Sequence, residues 1–251
     1  EFKKPKNIMP LCIDNKEINL KPLSNEKRNL LRNKYNLPKD NLIFLSSFDL
    51  ESFIARKNPW AVIKSFQKTF NPNYPNKTNN KVNLLLKTFR PISENRDWEN
   101  LKNTVKLDDR IIIIEEDLGY KDLMLLYGSC DVLVSLHRSE GFGRVIAECI
   151  ILGLEIITTN WGGNTDFCKN KYTHLVPFET SEVLPGTYPF WENQTWAEPD
   201  INKASKYMME IFNGKRLNNF SYSSKLKEFL SIETSGERYK KRINQILSDL
   251  S

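Results

Sequence analysis

From residue 41 to residue 177, short β-rich runs alternate with amphipathic stretches, the pattern of βαβ units around a parallel sheet. Residues 42–48 read as the first strand, followed by 82–86, 111–114, 131–136, 155–159 and a further short run at 173–176. The four consecutive isoleucines at 111–114 predict a strand covered on both faces. Between the strands, Pro59 suits the first position of a helix whose buried stripe is Trp60, Val62, Ile63 and Phe66. Further helices are predicted at 97–105 and 121–127, and from residue 144 to a stop near Gly153. The fold class is α/β. In such sheets ligands collect at the carboxyl ends of the strands, so loops at 56–58, 140–143 and 160–164 are expected to open toward one crevice.

Outside that block the pattern changes. The first 40 residues hold one helix near 25–35, and Asn/Lys enrichment near 71–81 reads as an exposed loop. Residues 183–199 carry three prolines and two tryptophans, too aromatic for a disordered linker, and are expected to pack over the domain. Helices are predicted at 200–213, 222–232 and 235–249, the last with a narrow apolar face of Tyr239, Ile243, Ile246 and Leu247. The division is an N-terminal segment (1–40), a ligand-binding domain (41–215) and C-terminal helices (216–251). Glu1-Phe2 lacks an initiator Met and Lys3-Lys4-Pro5-Lys6 reads as a tether, so a piece of a longer protein is expected.

At 251 residues, 39% hydrophobic and 27% charged, the composition is that of a globular protein. The net charge of +6 favours anionic partners: nucleotides, phosphorylated lipid carriers or a membrane surface. Nucleic acid is not expected, because lysines are spread along the chain without interleaved aromatic and basic residues. Four cysteines without a C-x-x-C pair and two histidines argue against zinc, and Cys130 and Cys149 fall in apolar runs expected to be buried. No apolar run reaches the ~18 residues of a membrane span. A reducing cytoplasm is the simplest compartment.

The most informative stretch is Arg138-Ser139-Glu140-Gly141-Phe142-Gly143-Arg144-Val145-Ile146-Ala147-Glu148. Its two carboxylates flank a glycine-bracketed turn that opens an apolar helix, where unpaired N–H groups suit an anion. The carboxylates on either side suit neutral hydroxyl groups, so a sugar nucleotide fits. Arg56 and Lys57, in the loop after the first strand, could neutralise a diphosphate, or form only a solvated basic loop. Glu148 could accept from vicinal ribose hydroxyls, or be a surface glutamate. Glu140 could contact a transferred sugar, or cap the helix. A glycoside hydrolase also uses two carboxylates, but gains nothing from a glycine turn and basic loop aimed at the same place. His137 reads as a packing or hydrogen-bonding residue, and Asp108, Asp109 and Asp131 as turn residues.

In this order and spacing the motifs resemble the C-terminal, donor-binding half of retaining GT-B glycosyltransferases of the large family 4 (glycosyl transferases group 1). The resemblance rests on the E-x7-E element at Glu140 and Glu148 and on S-x-D-x-x-S-x-x-x-R-K-N-P at residues 47–59. Gly163-Asn164-Thr165-Asp166-Phe167 and Trp196-Ala197-Glu198-Pro199-Asp200 are similar to a subgroup acting in bacterial surface polysaccharide, including lipopolysaccharide, assembly. The resemblance covers about residues 40–215. It implies a Rossmann-like doubly wound parallel sheet, with Arg56 and Lys57 on the donor diphosphate and Gly141, Phe142 and Gly143 giving main-chain contacts. It further implies Glu140 at the donor sugar as the catalytic residue, Glu148 at the ribose and Leu118 supporting the base.

The same resemblance implies a nucleotide-sugar donor, GDP-mannose by subgroup, and a saccharide or lipid-linked acceptor, with no metal and no other cofactor. An N-terminal GT-B domain that holds most of the acceptor is implied as a missing partner, and Met9-Pro10-Leu11-Cys12-Ile13-Asp14 resembles the segment after the domain crossover. Peripheral contact with the inner face of the membrane is a further expectation. The competing readings are a nucleotide-sugar 2-epimerase and a non-catalytic nucleotide-sugar-binding module.

Overall fold

A computed structural model describes residues 7–14, 23–71, 81–89, 95–217 and 220–250. The predicted tether at 3–6 and most of the Asn/Lys-rich loop lie outside these residues. The helices are α1 (Asn25–Lys34), α2 (Ile54–Lys57), α3 (Pro59–Thr69), α4 (Arg96–Val105), α5 (Tyr120–Ser129), α6 (Arg144–Ile151), α7 (Thr165–Cys168), α8 (Ile201–Phe212), α9 (Phe220–Phe229) and α10 (Ile232–Leu250). The strands are β1 (Leu42–Ser47), β2 (Val82–Lys87), β3 (Ile111–Ile114), β4 (Val132–Ser135), β5 (Glu155–Thr159), β6 (His174–Val176), β7 (Phe178–Glu182) and β8 (Thr195–Pro199).

β1 to β6 form one parallel sheet in the order β3-β2-β1-β4-β5-β6. Strand alternation sorts its side chains into two cores. Ile43, Leu45, Leu85, Leu133 and Ile156 pack on one side with residues of α1, α5, α6 and α9. Phe44, Leu84, Leu86, Val132, Val134 and Ile157 face the other side, with residues of α3, α4 and α8. Each fully buried side chain of this size stabilises by about 1.5–3 kcal/mol, which drives the double winding. The strand order reverses direction between β1 and β4, the place where such sheets open a crevice.

Two expectations need correction. The isoleucine run of β3 is not covered on both faces: it lies at the sheet edge, and three of its four residues are only half-buried. The strands buried along their whole length are β2, despite carrying Asn83 and Lys87, and β5. Asp131 is more than a turn residue. Its carboxylate accepts from the Ile43 amide at 2.8 Å and pairs with Arg32 at 2.8 Å and Arg28 at 3.1 Å, joining α1 to the sheet.

Arg32 is the hub of that joint. Its buried guanidinium also donates to the carbonyls of Ser129 (2.9 Å), Lys39 (2.7 Å) and Asn41 (2.9 Å). Arg32→Ala is expected to destabilise the domain by about 3–5 kcal/mol, because a buried carboxylate and several carbonyls lose their donor. A loss below about 1 kcal/mol in chemical denaturation would show that α1 is not part of the cooperative unit.

The 183–199 excursion is ordered: its last residues, β8, pair antiparallel with β7 just before it, and Val183 and Trp196 are buried. Ile13 is fully buried, and its amide donates to Leu230 O at 2.8 Å at the end of α9. Cys130 and Cys149 are buried free thiols. Tyr239, Ile243, Ile246 and Leu247 on α10 are exposed. Among the described residues no helix is long and apolar enough to cross a membrane.

Candidate functional site

Arg56 and Lys57 do not lie in an open loop. They end the single turn α2, held between two residues of left-handed backbone, Phe53 (φ 64°) and Asn58 (φ 52°). Asn58 then caps α3, its Oδ1 accepting from the Ala61 amide. A four-residue helix has no periodicity to betray it in the sequence, which is why a loop was expected.

Arg138 fixes α2 against the loop after β4. Its amide donates to Arg56 O at 2.9 Å, and its guanidinium donates to Ala55 O at 2.9 Å and to Glu198 Oε2 at 2.6 Å. The guanidinium also lies over the Trp196 ring. With α2 so placed, Lys57 Nζ meets Glu140 Oε2 at 2.7 Å, and Arg56 stands 3.8 Å from the same oxygen while donating to Ser139 O at 2.9 Å. Burial pushes the Glu140 carboxyl upward in pKa, but the Lys57 ammonium, with Arg56 behind it, outweighs burial and holds it below the ordinary range.

Glu140 does not cap α6. The N-cap is Gly143, at φ 88°, and no side chain caps the helix. The first turn of α6 therefore presents main-chain N–H groups without a side-chain acceptor, the arrangement that favours an anion. Phe142 turns inward, 5.3 Å from the Phe167 ring between centroids. Gly141 is exposed with open space where a Cβ would stand.

The loop after β5 closes the site from the third side. The Gly163 amide donates to Glu140 O at 2.8 Å, and a Cβ on Gly163 would overlap the Gly141 carbonyl. His137, fully buried, bridges Ser135 Oγ and Trp161 O at 3.0 Å each. A carbonyl only accepts, so Nε2 carries the hydrogen and Nδ1 accepts from Ser135. Burial lowers its pKa and keeps it neutral. It is a structural tie, as its place in the sequence suggested.

Lys57, Glu140, Gly143 and Arg144 line one recess together with Ser46 and Ser47 at the end of β1. Of the other expected site residues, Arg56, Leu118, Gly141, Phe142 and Glu148 do not line it. Glu148 sits beside it, connected through Arg144, which lines the recess and donates from Nε to Glu148 Oε1 at 2.9 Å. Tyr120 Oη donates to the same carboxylate oxygen at 3.0 Å. Glu148 is 3% exposed, and burial raises its pKa above the ordinary value despite both donors. Leu118 is half-buried two residues before Tyr120, on the loop after β3. That loop is held by Lys87, whose fully buried ammonium donates to Thr88 O at 2.6 Å and Glu116 O at 2.9 Å.

Sequence reasoning gave no role to Tyr120, Arg138, Arg144 or Lys87. Only Arg144 left a signal, its i,i+4 spacing to Glu148.

A family model described as "Glycosyl transferases group 1" matches residues 27–184. No curated protein matches the chain significantly. Among solved structures it is similar to sucrose-phosphate synthase (tll1590) from Thermosynechococcus elongatus, at 17% identity and TM-score 0.66, covering 97% of this chain and 53% of that one. It is similar to Anabaena Alr3699/HepE in complex with UDP and glucose, at 16% identity and TM-score 0.67, covering 93% and 55%. The C-terminal domain of the glycosyl transferase group 1 family protein LpcC from Francisella tularensis is 16% identical with TM-score 0.58, covering 87% of this chain and 96% of that one. The chain thus spans about half the length of the first two. At these identities the likeness carries the fold alone.

Proposed function

The chain belongs to the glycosyl transferases group 1 family, and on that premise we propose that it binds the donor of a retaining family 4 enzyme. The donor is a nucleotide sugar and the acceptor a saccharide or lipid-linked saccharide. The observation that carries this reading is the meeting of Lys57, Arg56 and Glu140 with the uncapped start of α6, at the sheet's reversal point.

In this reading Lys57, Arg56 and the α6 amides take up the negative charge of the departing diphosphate, so no metal is required. Glu140 is ionised by its cationic neighbours and faces positive charge developing at the anomeric carbon. Glu148, covered here by Arg144 and Tyr120, accepts hydrogen bonds from the ribose hydroxyls once Arg144 moves off its carboxylate, and Leu118 supports the base. The Anabaena neighbour was solved with UDP and glucose, whereas the subgroup motifs favour GDP-mannose, so a donor panel must contain both bases. The net charge of +6 supports contact with the inner face of a membrane. That contact predicts co-sedimentation with anionic liposomes that salt weakens.

The test is calorimetry with UDP- and GDP-sugars across pH. Glu148 must be a carboxylate to accept two ribose hydroxyls. Because its folded pKa is raised above 4.5, affinity is expected to fall as pH drops through that raised value, before ordinary carboxylates protonate. The stability linkage runs the opposite way: a raised folded pKa stabilises fully below the unfolded value and loses that contribution as pH rises through the folded one. Acid loss of binding therefore cannot come from Glu148 unfolding the domain. Glu148→Gln should bind weakly and lose this pH step, and an unchanged affinity in that variant would remove Glu148 from the ribose site.

A further inference from the structure

A second cavity, about 290 Å³, lies between α2 and the segment that links β7 to β8. Arg56 and Ser139 form its inner wall, and Tyr188, Phe190, Gln194 and Trp196 its outer one. Its volume is at the small end of ligand pockets, about 300–1,000 Å³.

The backbone is distorted to present these rings. Phe190 has φ 53° and Phe53, below it, φ 64°. Bulky residues in this region cost of order 1–3 kcal/mol and persist only where the surroundings impose them. Phe190 is 88% exposed, so burial does not compensate for its strain. Phe53 is half exposed and meets Tyr188 edge-on, with centroids 5.1 Å apart, fixing the Tyr188 ring at the cavity. Aromatic faces beside a guanidinium and an amide match a pyranose ring, whose C–H faces are apolar and whose rim carries hydroxyls.

The cavity and the donor recess are neighbours, lined by adjacent residues of α2 and of the loop after β4. Arg56 lines the cavity, bonds Ser139 O, and lies 3.8 Å from Glu140, which lines the recess. We propose that this aromatic cavity is a saccharide subsite that holds a sugar ring of the acceptor next to the donor site. Its role as acceptor subsite rests on the glycosyltransferase reading; its binding of saccharide does not.

The experiment is tryptophan fluorescence and saturation-transfer NMR on the chain, with mannotriose, cellotriose and chitotriose as probes. UDP- and GDP-sugar calorimetry runs alongside. At least one trisaccharide is expected to bind, and Tyr188→Ala or Phe190→Gly to weaken it about tenfold with nucleotide affinity unchanged. Phe190→Gly relieves the positive φ, so it should fold at least as stably as the wild type. Binding of no probe, or binding indifferent to both substitutions, overturns the subsite. Loss of nucleotide affinity in either variant also overturns it, since the cavity would then belong to the donor. Saccharide binding without any nucleotide binding upholds the subsite and sinks the donor reading instead.

Discussion

Lys57→Ala is expected to weaken binding of a nucleoside diphosphate about 10–100-fold, the loss of one charge-assisted contact of about 1.5–3 kcal/mol. The ammonium sits in a partly buried recess, where a charge acts more strongly than in open water. Glu140→Gln separates two ways in which Lys57 could matter. If Lys57 only held Glu140 in position, both substitutions would leave diphosphate affinity intact. The phosphate role instead predicts loss in Lys57→Ala, while Glu140→Gln binds diphosphate at least as well, having one negative charge fewer. Undiminished calorimetric affinity in Lys57→Ala would take this lysine out of the phosphate site.

Gly163→Ala is expected to cost about 3 kcal/mol of stability and to abolish measurable donor binding. The added methyl would overlap the carbonyl oxygen of Gly141, and main chain cannot rotate aside as a side chain can. Relief requires the loop after β4 to move, which breaks the 2.8 Å bond from Gly163 N to Glu140 O and displaces Glu140 from Lys57. Gly236→Ala is the control. It lies inside α10 with nothing near its absent Cβ, so alanine there should stabilise by up to about 1 kcal/mol. Thermal or urea unfolding of the two variants measures the contrast. Equal stabilities would mean that the two loops are not packed as tightly as the fold requires.

The main sheet was legible because its strands are short, strongly apolar and separated by punctuation. Residues 155–159 were read as a strand and are β5, and the 111–114 run is β3 with the same bounds. Its place in the sheet was misread, since four isoleucines say nothing about which strand lies at the edge. β7 went unread and β8 was read only as part of an ordered excursion at 183–199, because mixed prolines, glutamates and aromatics give no period-2 alternation. At the site, the E-x7-E spacing was visible along one chain segment. The contacts that orient it were not: Tyr120 reaches Glu148 across 28 positions, and Arg138 reaches Glu198 across 60.

The linear order of residues determined the α/β class, the approximate strand bounds and the loops at 140–143 and 160–164. These follow from hydrophobic periodicity and glycine or proline punctuation, which act over a few residues. Only the tertiary structure decided that Lys57 pairs with Glu140, that Glu148 lies buried beside rather than within the recess, and that Arg56 lines a second cavity next to it. Those outcomes depend on how α2 and three loops pack at one end of a twisted sheet. Packing between distant segments is governed by close contact and shared burial, which no local pattern in the chain records.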